Sequence, residues 1–160
     1  MPLPKNKSKR KYMFSDDIKF LQKIILFHPK YKNKFLVLKS SPDHYSRPNS
    51  LDLPGGNVLF GETHLDSLLK EIKEEAGIKK VKDIKPIQVV TNYATKEKLY
   101  QLNAKRKSKK IYFIFIGYTG KAQTSKIKLS HEHTEYKWIT KKEFLKLKPA
   151  DYYIKLVNNI

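Results

Sequence analysis

Between Gly56 and Ile78 the chain reads GNVLFGETHLDSLLKEIKEEAGI, and its chemistry is concentrated in carboxylates. If this stretch is helical, about 100° of turn per residue places Glu71, Glu74 and Glu75 within a ~100° arc, while Leu65, Leu68, Leu69, Ile72 and Ala76 fill a second arc of similar width. Three glutamates alone would ordinarily be a solvated stripe. Here they crowd the C-terminal half of a helix, the unfavourable end of its dipole for acids, so the arrangement costs stability unless a cation compensates. Hard oxygen ligands without His or Cys partners suit Mg2+, or Mn2+, and magnesium commonly bridges to substrate phosphates. Pro54, Gly55 and Gly56 just upstream let the backbone pass close to the acidic face, where the Gly55 carbonyl is a candidate fourth oxygen ligand. A centre of this kind activates water against phosphorus, and the expected reaction is hydrolysis of a diphosphate linkage.

The elements that position these groups follow from periodicity and punctuation. Phe20 to Phe27 is apolar and β-branched enough for a strand, and a turn over Pro29 to Asn33 leads to its antiparallel partner, Phe35 to Leu38. Ser40 to Ser50 reads as a loop, and Leu51 to Leu53 as a short strand stopped by Pro54, Gly55 and Gly56. Thr63 is the predicted N-cap of the acidic helix, with Asp66 three residues on and Gly77 as its C-terminal stop. Strands are expected over Ile84 to Asn92, Lys110 to Tyr118 and Tyr136 to Ile139. A short helix follows, capped by Thr140 and Glu143 and running through Leu147, then another over Asp151 to Val157. Strands outnumber helices without alternating with them, which indicates an α+β protein.

The 160 residues suit a single domain, expected over 17–160 after a basic, disordered arm over 1–16. With 34 Lys and Arg against 15 Asp and Glu, the formal charge is +19, a field that draws in polyanions such as nucleotides or RNA. Much of the excess lies in Lys5 to Lys11 and Lys105 to Lys110. No cysteine is present, which excludes disulfides and thiolate metal sites and favours a cytoplasmic location. Apolar runs such as Ile111 to Ile116 fall far short of the roughly 20 residues of a membrane span.

Gly56, Glu62, Glu71, Ile72, Glu74, Glu75, Gly77 and Ile78 together resemble the Nudix box. Six Gly or Glu positions at about 7% each make a chance match on the order of one in ten million per starting point, so the match is not accidental. LDLPGG before the box and HEHTEYKWIT after it are similar to Nudix sequences in the same order. The resemblance implies a Nudix α/β/α sandwich around a mixed β-sheet. It also implies that Glu71, Glu74 and Glu75 ligate Mg2+, that Glu71 can orient or deprotonate the attacking water, and that Glu62 supports the site from its loop. A further acid comes from a later loop in many members, and Glu132, or failing that Glu135, is suitably placed. One position departs from the pattern: the usual arginine is Lys70, which keeps the charge and loses the planar two-donor grip.

Tyr93 stands near where resembling enzymes of dinucleoside polyphosphates carry a base-stacking tyrosine, and Arg47 is a candidate for a substrate phosphate. Pro86 comes too early for the proline of resembling ADP-ribose enzymes. His131 and His133 read as ordinary polar loop residues, and Trp138 as core. The expected protein is a monomeric or homodimeric hydrolase of nucleoside tri- or polyphosphates. RNA 5′ ends are an alternative substrate, and a nucleotide- or RNA-binding domain without turnover a further one. Deleting Met1 to Lys11 is expected to raise KM for triphosphorylated RNA and barely alter that for free nucleotide; equal effects in steady-state kinetics would show that the arm has no part in RNA binding.

Overall fold

The computed structural model describes residues 18–44, 47–93 and 111–160; the predicted arm and the Lys105 to Lys110 cluster lie outside them. Among the described residues, seven strands form one sheet: β1 (Ile18–Phe27), β2 (Lys34–Ser40), β3 (Leu51–Asp52), β4 (Gly55–Asn57), β5 (Val81–Tyr93), β6 (Tyr112–Ala122) and β7 (His133–Thr140). The described helices are α1 (His64–Ala76), α2 (Lys141–Lys146) and α3 (Asp151–Val157).

The sheet is mixed. β1 runs parallel to β6 along its whole length, from Ile18 opposite Tyr112 to Phe27 opposite Lys121, and antiparallel to β2. The order β3-β2-β1-β6-β5 is completed by β7 on β2 and β4 on β1. Alternation of side chains gives each central strand two apolar faces. Ile24, Leu26, Leu36 and Leu38 pack on Leu68, Ile72 and Ala76 of α1. Their neighbours Ile25, Phe35 and Val37 pack instead with Phe144 of α2 and Tyr153, Leu156 and Val157 of α3. The result is the expected α/β/α sandwich.

Helix ends fall where the sequence places them. Thr63 Oγ1 accepts the Asp66 N–H, and Gly77 closes α1 in the left-handed region (φ 70°), returning its N–H to the Lys73 carbonyl. Thr140 and Glu143 cap α2 reciprocally. The strands depart more. Pro54, Gly55 and Gly56 do not end the sheet; Gly55–Asn57 re-enters it as β4. β5 begins at Val81 and not Ile84, carrying Asp83 at φ 55° and register shifts between Lys82 and Lys85 and between Pro86 and Gln88. β7 begins at His133, three residues earlier than expected, because β2 offers it pairing as far as Ser40.

Gly117 on β6 lies opposite Lys23, and a Cβ there would come within 3.2 Å of Cγ of the fully buried Leu156. Gly117→Ala is therefore expected to destabilise the protein by about 1–3 kcal/mol, measured by urea unfolding; an unchanged midpoint would mean that α3 shifts freely on the sheet.

Candidate active site

The site begins with a divergence of strands. β1 and β2 pair at Phe27 and Phe35, next to their turn, and then part. β7 occupies the other edge of β2 throughout, so β3 and β4 fill the gap. Asp52 and Leu51 pair with Leu38 and Lys39 of β2, while Gly55, Gly56 and Asn57 pair with Lys23, Gln22 and Leu21 of β1. The Ile24 N–H donates to the Pro54 carbonyl at 2.9 Å where the chain crosses from one side to the other. Gly55 adopts φ 134°, and a Cβ on it would meet the backbone of Gln22 and Lys23. A Cβ on Gly56 would lie 2.8 Å from Cδ of Glu71. Gly55 is thus required for β4 to lie against β1, whereas a Cβ on Gly56 would push the Glu71 carboxylate aside.

The acidic face of α1 is divided by this contact. Glu75 is buried, and its Oε2 accepts the Gly55 N–H at 3.0 Å. Burial, with Asp52 adding to it, pushes the Glu75 carboxyl up to about 7, although Lys23, the Gly55 N–H and His133 pull the other way. Glu71, half-buried one turn earlier, is raised by burial and by the neighbouring Glu74 and Glu132, against the pull of Lys23 and Lys70. Glu74 is exposed. The expected exposed arc is therefore two carboxylates turned toward β4 and one toward solvent.

The loop before α1 is pinned by Glu62. Its Oε2 accepts the Ser67 hydroxyl at 2.7 Å and its Oε1 lies 3.3 Å from Lys70 Nζ, so both partners hold the carboxyl below its ordinary range. Ser67 Oγ in turn accepts the Leu59 N–H. Lys70 thus binds a glutamate of the box through a single nitrogen.

Asp52 is the centre of a second cluster that the sequence did not disclose. Lys23 Nζ lies 2.8 Å from its Oδ1; His133 Nε2 and Arg47 Nη2 lie 3.4 and 3.7 Å from its Oδ2. The Tyr153 hydroxyl and the Leu53 N–H donate to Oδ1. Burial opposes ionisation of Asp52, but Lys23, His133 and Arg47 overcome it and hold the carboxyl well below the usual range. Lys23 Nζ donates a second bond, to the Gly55 carbonyl, at 3.0 Å.

The remaining predicted residues divide. Glu132 is exposed, lies close enough for its charge to act on Glu71, and accepts the Ser41 N–H through its backbone carbonyl at 2.8 Å. Glu135 is engaged elsewhere, 3.0 Å from Lys39 Nζ on the paired strand. Arg47 leans on the Asp52 cluster, donating to the Tyr152 hydroxyl at 2.9 Å. Tyr93 is exposed and packs edge-on to Tyr112. The registers Ile18, Tyr112 and Tyr93 set it at the end of the sheet toward which the chain leaves β4, where the Val58 N–H reaches the Phe20 carbonyl. His133 is a correction: it is buried beside Asp52 and Glu75, not an ordinary loop residue. Its neighbours gave no sign of this, since burial follows from the pairing of β7 with β2. Lys23, a lone charge in the apolar run FLQKIILF, is the residue of the cluster that the sequence marks as needing a buried partner.

The donor set suits a divalent ion. One ligand atom from each of Asp52, Glu75 and His133 lie within 4.8 Å of one another, and His133 Nδ1 is buried without a hydrogen-bond partner among the described residues. Glu71 adds a carboxylate that lacks full charge compensation.

Residues 23–157 match the NUDIX domain family. The chain is 32% identical over 123 residues to bis(5′-nucleosyl)-tetraphosphatase [asymmetrical] of Caenorhabditis elegans, covering 76% of each protein. Among solved structures, the MutT protein of Methanosarcina mazei Go1 superposes with a TM-score of 0.65 at 23% identity, over 89% of this chain and 91% of that one. The NUDIX domain of Shewanella oneidensis NrtR, complexed with ADP ribose, superposes with a TM-score of 0.68 at 15% identity, over 98% and 96%. The chain belongs to the Nudix family, as a pyrophosphohydrolase of that family. Nudix hydrolases in general use divalent metal ions.

The buried Glu75 makes a prediction for the metal-free protein. Its folded pKa lies above that of the unfolded chain, so its contribution to stability is fully present below about pH 4.5 and is lost as pH rises through about 7. Between pH 5 and 8 in a chelator, the stability of the native protein relative to Glu75→Gln should fall by on the order of 3 kcal/mol. Parallel pH profiles of Tm for the two proteins would show that Glu75 carries no such strain.

Proposed function

We propose that this protein is a Mg2+-dependent hydrolase of nucleoside tri- and polyphosphates, dinucleoside polyphosphates among them, with Glu71, Glu74 and Glu75 as the metal ligands. The observation that carries the reading is the convergence of Glu71 and Glu75 on the Gly55–Gly56 backbone, where the two carboxylates are buried or half-buried and short of positive charge. The relative from C. elegans, a bis(5′-nucleosyl)-tetraphosphatase, supports the substrate class.

A bound Mg2+ would polarise phosphoryl oxygens and offset the charge of the leaving phosphate. The chain's own groups supply the rest. Glu71 and Glu132 act on one another electrostatically, and either can accept the proton of the attacking water; burial and the neighbouring Glu74 raise the Glu71 carboxyl above its ordinary range. Lys70 and Ser67 tie the Glu62 loop to α1. Tyr93 offers an exposed ring on which a base can stack. Arg47, held by Asp52 and Tyr152, would offer its remaining donors to a substrate phosphate.

The test is release of nucleotide and phosphate from nucleoside triphosphates, dinucleoside tetraphosphates, nucleotide sugars and triphosphorylated RNA, with and without Mg2+, beside Glu75→Gln. Turnover of the first two substrates should require Mg2+ and fall at least about 100-fold in the variant. Faster turnover of RNA would reassign the substrate, and none across the panel would overturn the reading.

A further inference from the structure

Lys23 is the one lysine among the described residues that is almost wholly enclosed, with 2% of its surface exposed. An ammonium in such a place is costly unless its donors are satisfied by oxygen. Two oxygens meet it, the Gly55 carbonyl at 3.0 Å and Asp52 Oδ1 at 2.8 Å. Its charge also acts on Glu71 and Glu75, the two carboxylates turned toward β4. A backbone carbonyl and carboxylates around a compact point charge are the surroundings that a hard metal ion takes.

We propose that the Lys23 ammonium is a built-in cation of the metal centre, competing with the divalent ion for the Gly55 carbonyl and for the field of the surrounding carboxylates. Loading the metal onto Glu71, Glu74 and Glu75 then requires Lys23 to give up Gly55, so this residue sets how tightly the ion is held. It is a positioning residue and does not touch the substrate. The inference rests on the magnesium reading above. Removing Lys23 does not strand Asp52, which keeps Arg47, His133, Tyr153 and the Leu53 N–H.

The experiment is titration of the full chain with Mn2+ alone, free ion being followed by electron paramagnetic resonance, for the native protein, Lys23→Met and Lys23→Arg. Lys23→Met should bind Mn2+ about tenfold more tightly or better, and Lys23→Arg about as weakly as the native protein, because only the first removes the competing charge. A purely structural lysine would give the opposite sign, since its loss would loosen the site. Equal or weaker binding by Lys23→Met overturns this inference alone; no Mn2+ binding by any of the three overturns the magnesium reading with it. A second measurement needs no folded methionine variant. In the 15N-lysine-labelled native protein, the Lys23 ammonium resonance should shift in step with the backbone amides of Glu71 to Glu75 as Mg2+ is added. Amide shifts with a stationary Lys23 resonance would overturn the competition.

Discussion

The arrangement of this molecule depends on a wedge. β1 and β2 begin as a hairpin and separate, and Leu51–Asn57 is driven into the opening, bonded on one side to each. Backbone groups exposed by the separation would otherwise be buried without partners, which a folded interior does not tolerate. The wedge is locked from two directions: Glu75 of α1 takes the N–H of Gly55, and Lys23 of β1 takes its carbonyl. One residue, Gly55, thus ties the sheet to the acidic helix through both of its backbone polar groups. The side chains that matter chemically gather there because the secondary structure has to be joined there.

Charge is distributed on two scales that oppose one another. The chain carries a formal +19, and at long range it attracts polyanions. Within the wedge the balance is reversed, with Asp52 in contact with the buried ammonium of Lys23 and Glu71 and Glu75 within reach of its charge. Asp52 takes the greater share of that ammonium, together with Arg47 and His133, and stays ionised. Glu75, with a hydrogen bond to one amide and more distant help, is left basic. Two carboxylates that flank the same turn in space therefore hold their protons very differently, a consequence of which of them is in contact with the lysine.

Much of this was legible in the sequence. The box from Gly56 to Ile78 gave the helix, its caps and the glutamates, because helix periodicity and capping are local and the glycines recur at defined intervals. Strand ends are less legible: Pro54 and Gly55 are breakers in isolation, and only the gap between β1 and β2 turns the expected stop into β4. The second cluster was not legible for the same reason. Lys23, Asp52, His133 and Tyr153 are separated by dozens of residues and meet only through sheet pairing and the packing of α3. Spacing along the chain carries no record of such encounters. Lys23 could have been suspected, because a charge in the middle of a buried strand needs a partner.

The far side of the sheet ends on β5, whose outer edge faces no other strand among the described residues. An open row of amides and carbonyls is a template on which a second molecule can add its own strand. Here Lys82 and Lys85 place charge along that row, Pro86 has no amide hydrogen to offer, and the two register shifts with the left-handed Asp83 kink it away from a straight ladder. The irregularity of β5 thereby disfavours addition of a further strand along this edge.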